Sequence, residues 1–418
     1  MKIVFNNFMS DLKYSPSFIF FILYLVIELV RPQTIYPQIN IIPFGKLFIG
    51  GLFLSSLMEG RLFHVKNPLN SLLFLFLVWV FISTLFAFDH DVALNMLSDF
   101  IKWIIIYFLA INTINEKNKF YWAIFFILLF HFKMSQYSFR GWVASGFYSS
   151  IHGTWTGAGF FQNPNDFAVA LNTVTPISYY LMINDQKKIF GFLKSRWIYF
   201  IFFLSFFMGV LITSSRGGML GLGVISLGIW YKTKRKFLFL FPMAICVFMF
   251  LNLLSVEQKD RIENIGKEKD ESAMDRINLW RDGIRIIQDY PITGVGIDNF
   301  RPVSFKLYNN DKKLAPHNIY IQAASELGLP GLIIFLSILI TVFQNHKNIR
   351  KQLEKNHMEN SIYYQLSHAF DLSVIGFAVN GFFITVLYYP FLWIILTLSV
   401  AMMSIVNKDM AKLKIEGS

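Results

Sequence analysis

The stretch "LITSSRGGMLGLG", residues 211–223, sets Arg216 between two apolar runs, with Ser214 and Ser215 before it and Gly217 and Gly218 after it. A lone arginine at the end of an apolar run can be an interfacial anchor whose head snorkels to water. An anchor has no use for the flanking residues. Serines cap a following helix and glycines admit a second backbone or a ligand, so amide donors are left beside a fixed guanidinium. That combination suits an anion, phosphate or pyrophosphate.

A second cluster lies in "SAMDRINLWRDGIRIIQDYP", where Ser272 and Asp275 form a capping-box pattern and Pro291 closes the segment. The spacing predicts a helix over about 273–289 with Ile277, Trp280, Ile284 and Ile287 on one stripe. Arg276 borders that stripe, whereas Arg281 and Arg285 swing away from it. A helix lying on a bilayer accounts for the last two without any further role.

The third cluster is "KLAPHNIYIQAASELGLPGL", 313–332, in which Pro316 and Asn318 start a helix and leave His317 at its mouth. The helix amino terminus disfavours imidazolium, so the ring is neutral near pH 7 and able to accept a proton; a purely structural histidine is the plainer alternative. Glu326, deeper in the same run, is an intramembrane carboxylate, and bonding to backbone freed near Gly328 and Pro330 is the first role expected of it. Asn163, Asn165 and Asp166 in "GFFQNPNDFA" can hydrogen bond a sugar or cap the helix that follows.

The elements that hold these residues are written in the composition. The chain has 418 residues, 55% hydrophobic and 15% charged, too apolar for a soluble protein of this size. Apolar runs approaching the ~20 residues of a bilayer crossing fall at 17–30, 40–58, 69–88, 97–113, 119–132, 163–183, 196–213, 216–231, 236–254, 317–343, 365–387 and 389–406. The expected fold class is therefore an all-α integral membrane protein of about twelve transmembrane helices, with one long periplasmic loop that contains an amphipathic helix. The segments are 1–254 for the first nine crossings, 255–316 for the loop and 317–418 for the last three crossings.

The first run lacks a small-residue cleavage site and is read as an uncleaved crossing. With both termini in the cytoplasm, the loops Arg61–Lys66, Lys117–Lys119, Lys187–Arg196, Lys232–Lys236 and Lys347–Lys355 and the tail from Lys408 lie on one side, and all are basic. The net charge of +12 is spread through these loops, which argues against nucleic acid as a partner. "GVGIDNF", 294–300, reads as a tight turn, not a nucleotide-binding loop, because no predicted strand precedes it. The single cysteine, Cys246, excludes an internal disulfide, and no metal-ligand spacing is found.

Taken in order, "GFFQNPNDFA", "TSSRGG", "DRINLW…PITGVGIDNF" and "PHNIYIQAASELGLPGL" resemble the O-antigen ligase family, whose members share a region with O-antigen polymerases. The resemblance implies a glycosyltransferase of the bacterial inner membrane that is inverting, metal-independent and without a cofactor. The donor would be an undecaprenyl-diphosphate-linked glycan, and the acceptor a hydroxyl of lipid A core, another glycan or a protein. The catalytic set it implies is His317 as base, with Arg216 and Arg276 holding the diphosphate; Ser215, Gly217, Asn165 and Asn318 complete the expected substrate-binding residues. Polymerases and protein O-oligosaccharyltransferases share the same motifs. From outside the superfamily, a secondary transporter or lipid flippase is the competing class, since twelve crossings and Glu326 beside a Gly-Pro break suit one.

Overall fold

A computed structural model describes residues 15–146, 163–185, 188–189, 193–233, 271–308 and 313–416, with 244, 247 and 248 as isolated positions. Most of the ninth expected crossing, 236–254, with Cys246, and the part of the loop before residue 271 fall outside this set. Among the described residues the elements are helices, apart from a two-residue antiparallel strand pair at Lys188–Ile189 and Leu193–Lys194. In chain order the principal helices are α1 (Pro16–Leu25), α2 (Phe44–Met58), α3 (Pro68–Leu85), α4 (His90–Thr113), α5 (Lys117–Ala144), α6 (Pro164–Asn184) and α7 (Ser195–Ile212). They continue with α8 (Arg216–Lys232), α9 (Glu271–Asp289), α10 (Phe300–Leu307), α11 (Ile319–Lys355), α12 (Ile362–Asn380) and α13 (Pro390–Glu416).

Many of these begin where local chemistry dictates. Pro68 and Pro164 occupy first-turn positions that need no amide donor, and Asn67, Asp89, Asn163, Ser215, Asn318 and Ser361 each accept a backbone N–H of their own first turn. Asp89 lets α4 start at His90, well before the apolar run at 97–113.

Among the described residues six helices are long and apolar enough to cross a bilayer: Pro68–Leu85, His90–Thr113, Ser195–Ile212, Ile319–Lys355, Ile362–Phe383 and Pro390–Leu413. Pro16–Val30 and Phe44–Met58 are shorter apolar helices. Helices also stand over the runs at 119–132, 163–183 and 216–231, but their composition is more polar. In α6 the reason is visible. Nearly all of that helix is buried, and its polar groups are spent inside the bundle: Asn172 Nδ2 donates to the Gly218 carbonyl at 2.8 Å, and the Thr173 carbonyl accepts from Ser373 Oγ at 2.6 Å. A helix enclosed by protein need not be oily to lie at membrane depth.

α6 packs against α7, α8 and α12, while α11 packs on α3, α12 and α13. The segment Gly381–Tyr389 joins α12 to α13 at the end of the bundle where α8 and α11 begin, and α9 and α10 sit on that same end against α11. This end carries every motif singled out in the sequence.

Candidate functional site

α11 is broken in its first third, and the break positions the site. Gly328 has φ 70° and ψ 178°, a conformation that only glycine adopts readily, and Pro330 follows. The backbone groups freed there are taken by the turn 291–296. Val295 N donates to the Ser325 carbonyl at 3.0 Å, Gly296 N to the Glu326 carbonyl at 2.9 Å, and Leu329 N to the Pro291 carbonyl at 2.9 Å. Ser83 Oγ adds a 2.8 Å bond to the Glu326 carbonyl and Trp79 Nε1 a 2.7 Å bond to that of Leu327.

The expectation for Glu326 is therefore altered. Other donors satisfy the freed backbone, and the carboxylate instead accepts from Tyr388 Oη at 2.8 Å and Gln322 Nε2 at 3.3 Å, with the Asp298 amide lying against it. "GVGIDNF" is the tight turn expected, with Gly294 and Gly296 both at positive φ. Asn299 stitches it to the start of α4 by accepting from Asp89 N at 2.7 Å and donating to the Asp89 carbonyl at 3.1 Å.

α9 spans Glu271–Asp289, close to the predicted 273–289. Its docking face is not the predicted stripe, because Ile277 and Ile284 are exposed and Leu279, Asp282, Gly283 and Ile286 are buried. Two of these four escape an apolar pattern. A Cβ on Gly283 would collide with Ile321 of α11, and Asp282 accepts from Ser304 Oγ at 3.1 Å. Arg276, three residues before Leu279, thus lies on the docking face itself and not at its border. Trp280 Nε1 donates to the Pro316 carbonyl at 3.0 Å and ties α9 to the residue before His317.

His317 has φ 48°, a left-handed conformation unusual for a residue with a Cβ. Its amide donates to Thr385 Oγ1 at 2.8 Å, and Asn318 caps α11 by accepting from the Tyr320 and Ile321 amides. Asn318 is buried, with its side-chain oxygen engaged in that cap. Burial first, and then the Arg276 and Arg301 guanidiniums, push the His317 ring down to about 4, so it is neutral at pH 7. The neutrality agrees with the reading of the sequence, but burial and two cations enforce it.

Arg301 is the residue that sequence reasoning left unranked. It lies near the start of α10, exposed, and is within electrostatic reach of His317, Asp298, Asp166 and Tyr389. Burial raises the Asp298 carboxyl, and Arg301 opposes that rise. Arg31 also acts on Tyr389, which brings the turn after α1 toward the same face. No pattern in the sequence distinguishes Arg301 from Arg281 or Arg285; it takes the docking of the 291–299 turn to place it.

On the far side of Gly381–Tyr389, Ser215 caps α8 by accepting from Gly218 N at 3.1 Å and donates to Asn165 Oδ1 at 2.6 Å. Asn163 is the cap of α6, accepting from Asn165 N at 2.9 Å. A Cβ on Gly217 would approach Phe383 Cβ to 2.8 Å, so glycine lets α8 seat against the segment whose Thr385 holds His317. Arg216 is exposed at this helix start. The structure thus brings Arg276, Arg301 and His317 into one electrostatic group and links the Arg216 turn to it through Phe383 and Thr385. Of the seven non-glycine residues at positive φ among the described residues, Arg31, Ser214, Asp298 and His317 flank this face, a concentration of backbone strain typical of working sites.

Replacing Arg301 with glutamine tests the field directly. Loss of a cation from beside the ring favours imidazolium, so the His317 titration is expected to move upward from about 4 toward the ordinary histidine value of about 6.5. NMR of ring-labelled histidine, compared with the wild type, reads this shift.

The apolar helices and the polar group at one end of the bundle define a multi-pass membrane protein. Within it, residues 200–336 match the family described as O-antigen ligase. The match runs from α7 into α11 and takes in Arg216, Arg276, Arg301 and His317, whereas "GFFQNPNDFA" lies before it. No curated protein matches the chain.

Proposed function

We propose that the protein is an inverting, metal-independent glycosyltransferase that moves a glycan en bloc from undecaprenyl diphosphate to an acceptor hydroxyl at the periplasmic face of the bacterial inner membrane. The observation that carries this reading is the grouping of a neutral His317 with the Arg276 and Arg301 guanidiniums inside a chain that matches the O-antigen ligase family. The proposed topology has twelve crossings and cytoplasmic termini, with 1–254 and 317–418 as membrane segments and 255–316 as the periplasmic loop.

In the proposed reaction the acceptor oxygen attacks the anomeric carbon from the face opposite the diphosphate as His317 takes the hydroxyl proton. The bond between that carbon and the diphosphate oxygen breaks, and its electron pair leaves with the lipid diphosphate. Arg216, Arg276 and Arg301 stabilise the charge that develops, as paired guanidiniums do in sites that exclude water. Ser215, Gly217 and Asn165 shape the Arg216 turn, and Asn318 positions His317 through its cap. His317 finally yields its proton to solvent or to the departing diphosphate.

The acceptor is lipid A core in this proposal, with a growing glycan or a protein as the alternatives within the superfamily. Mass spectrometry of lipid A core, surface glycans and glycoproteins from a strain lacking the protein tests it. Complementation with the wild type should restore the missing glycan, and Arg276→Ala should leave it missing by a factor of ~100 or more if one electrostatic contact to the leaving group is removed. A chelator should leave the purified activity unchanged.

A further inference from the structure

Apart from the arginine and histidine group, α2 and α3 both lean on α4 and leave an open groove of about 960 Å³. Its walls are apolar, with Ile49, Phe53, Phe74, Ile105 and Phe108 among them, and Phe53, Phe74 and Ile105 are exposed. Two cations interrupt this lining, Lys46 and Lys102. Lys46 lies in the first turn of α2, and Lys102 lies five residues inside the apolar run 97–113 of α4, roughly 8 Å in at the rise of a helix. A groove of lipid-like surface with cations at one end matches a lipid whose charged head lies at that depth.

The charge at the mouth selects the kind of head. Lys102 is paired with Asp99 at 2.5 Å, and Lys46 has no ion-pair partner among the described residues, so Lys46, Lys102 and Asp99 together leave one positive charge. Beyond Asp99 stands the Glu28–Arg31 pair at 3.4 Å, with Asp99 acting on Glu28. One net positive charge balances a phosphodiester, which carries one negative charge. A lipid diphosphate carries more, and its match is the arginine cluster.

We infer that the groove between α2, α3 and α4 is a binding site for one anionic glycerophospholipid, its phosphodiester between Lys46 and Lys102 and its chains along Phe53, Phe74 and Phe108. The assignment of this head to the outer leaflet rests on the topology proposed above; the groove and its charge do not. Bound there, the phospholipid braces α2 and α3 across α4.

Native mass spectrometry tests the inference on the detergent-purified full chain offered equal amounts of dioleoylphosphatidylglycerol and dioleoylphosphatidylcholine. The wild type should retain one phosphatidylglycerol in preference to phosphatidylcholine. Lys46→Gln with Lys102→Gln should lower that preference about 10-fold, since each lysine at a membrane surface adds to anionic lipid binding. Gly50 lines the groove and has nothing within 4 Å of an added Cβ, so Gly50→Phe should occupy part of the groove and reduce retention of both lipids. Equal retention of the two lipids by the wild type overturns the inference, as does an unchanged preference in the lysine double variant. Displacement of the bound phosphatidylglycerol by undecaprenyl diphosphate, lost in that same double variant, also overturns it by giving the groove to the donor. Glycan transfer is read separately, so loss of this lipid site leaves the proposed reaction standing.

Discussion

His317→Ala is expected to lower glycan transfer by a factor of about 100 to 10,000, the usual contribution of a positioned general base. Donor binding should survive, because the diphosphate contacts proposed for Arg216, Arg276 and Arg301 are untouched. The pH profile separates a base from a structural histidine. In the free enzyme the ring is held near 4 by burial and by Arg276 and Arg301, so its proton-accepting form is complete at neutral pH and is lost only as pH falls through about 4. The acid limb of kcat/KM should lie there. A bound diphosphate cancels much of the positive field of the two arginines, which makes imidazolium easier to form; the acid limb of kcat should therefore lie at higher pH. A ring with only a structural task produces neither limb, and His317→Ala would then lower the yield of folded protein without reshaping the profile.

Gly328→Ala is expected to destabilise the folded protein by ~3 kcal/mol or more, the scale of forcing a side-chain residue into backbone space that only glycine occupies readily. Its φ of 70° and ψ of 178° are one part of the cost. The other is steric, since an added Cβ would overlap the Ile292 carbonyl and come within 3.0 Å of that of Pro291. Relief would require the 291–296 turn to lift off α11, which breaks the bonds of Val295, Gly296 and Leu329 and displaces Arg301 from His317. Thermal unfolding in detergent should show a large drop in midpoint together with loss of transfer. Gly223→Ala is the control, since Gly223 lies within α8 with nothing near its missing Cβ, and alanine there should be neutral or mildly stabilising.

The parts of this molecule that were legible in the sequence are those set by local chemistry. Capping side chains at Asn163, Ser215 and Asn318 start helices where the sequence places them. The apolar runs found their helices throughout the described residues, although α6 is held by burial in the bundle and not by oiliness. What the residues alone concealed was set by contact between distant segments. The docking face of α9 contains a glycine and a paired aspartate, so its apolar pattern pointed one position away from Arg276's true face. Glu326 bonds Tyr388, sixty-two residues on, and Arg301 reaches His317 only because Asn299 and the broken α11 fix the turn between them. No periodicity encodes such pairings.

The central claim is that the cationic end of this bundle cuts a sugar from a lipid diphosphate and joins it to an acceptor. Liposomes containing the purified protein, an undecaprenyl-diphosphate-linked glycan and lipid A core, with no energy source added, test it most directly through mass spectrometry of both products. The prediction is one new glycoside of inverted anomeric configuration for each undecaprenyl diphosphate released, with both products reduced about 100-fold or more in Arg276→Ala and His317→Ala. Passage of the intact lipid-linked glycan across the bilayer with no new glycosidic bond would contradict the account and assign the protein to transport.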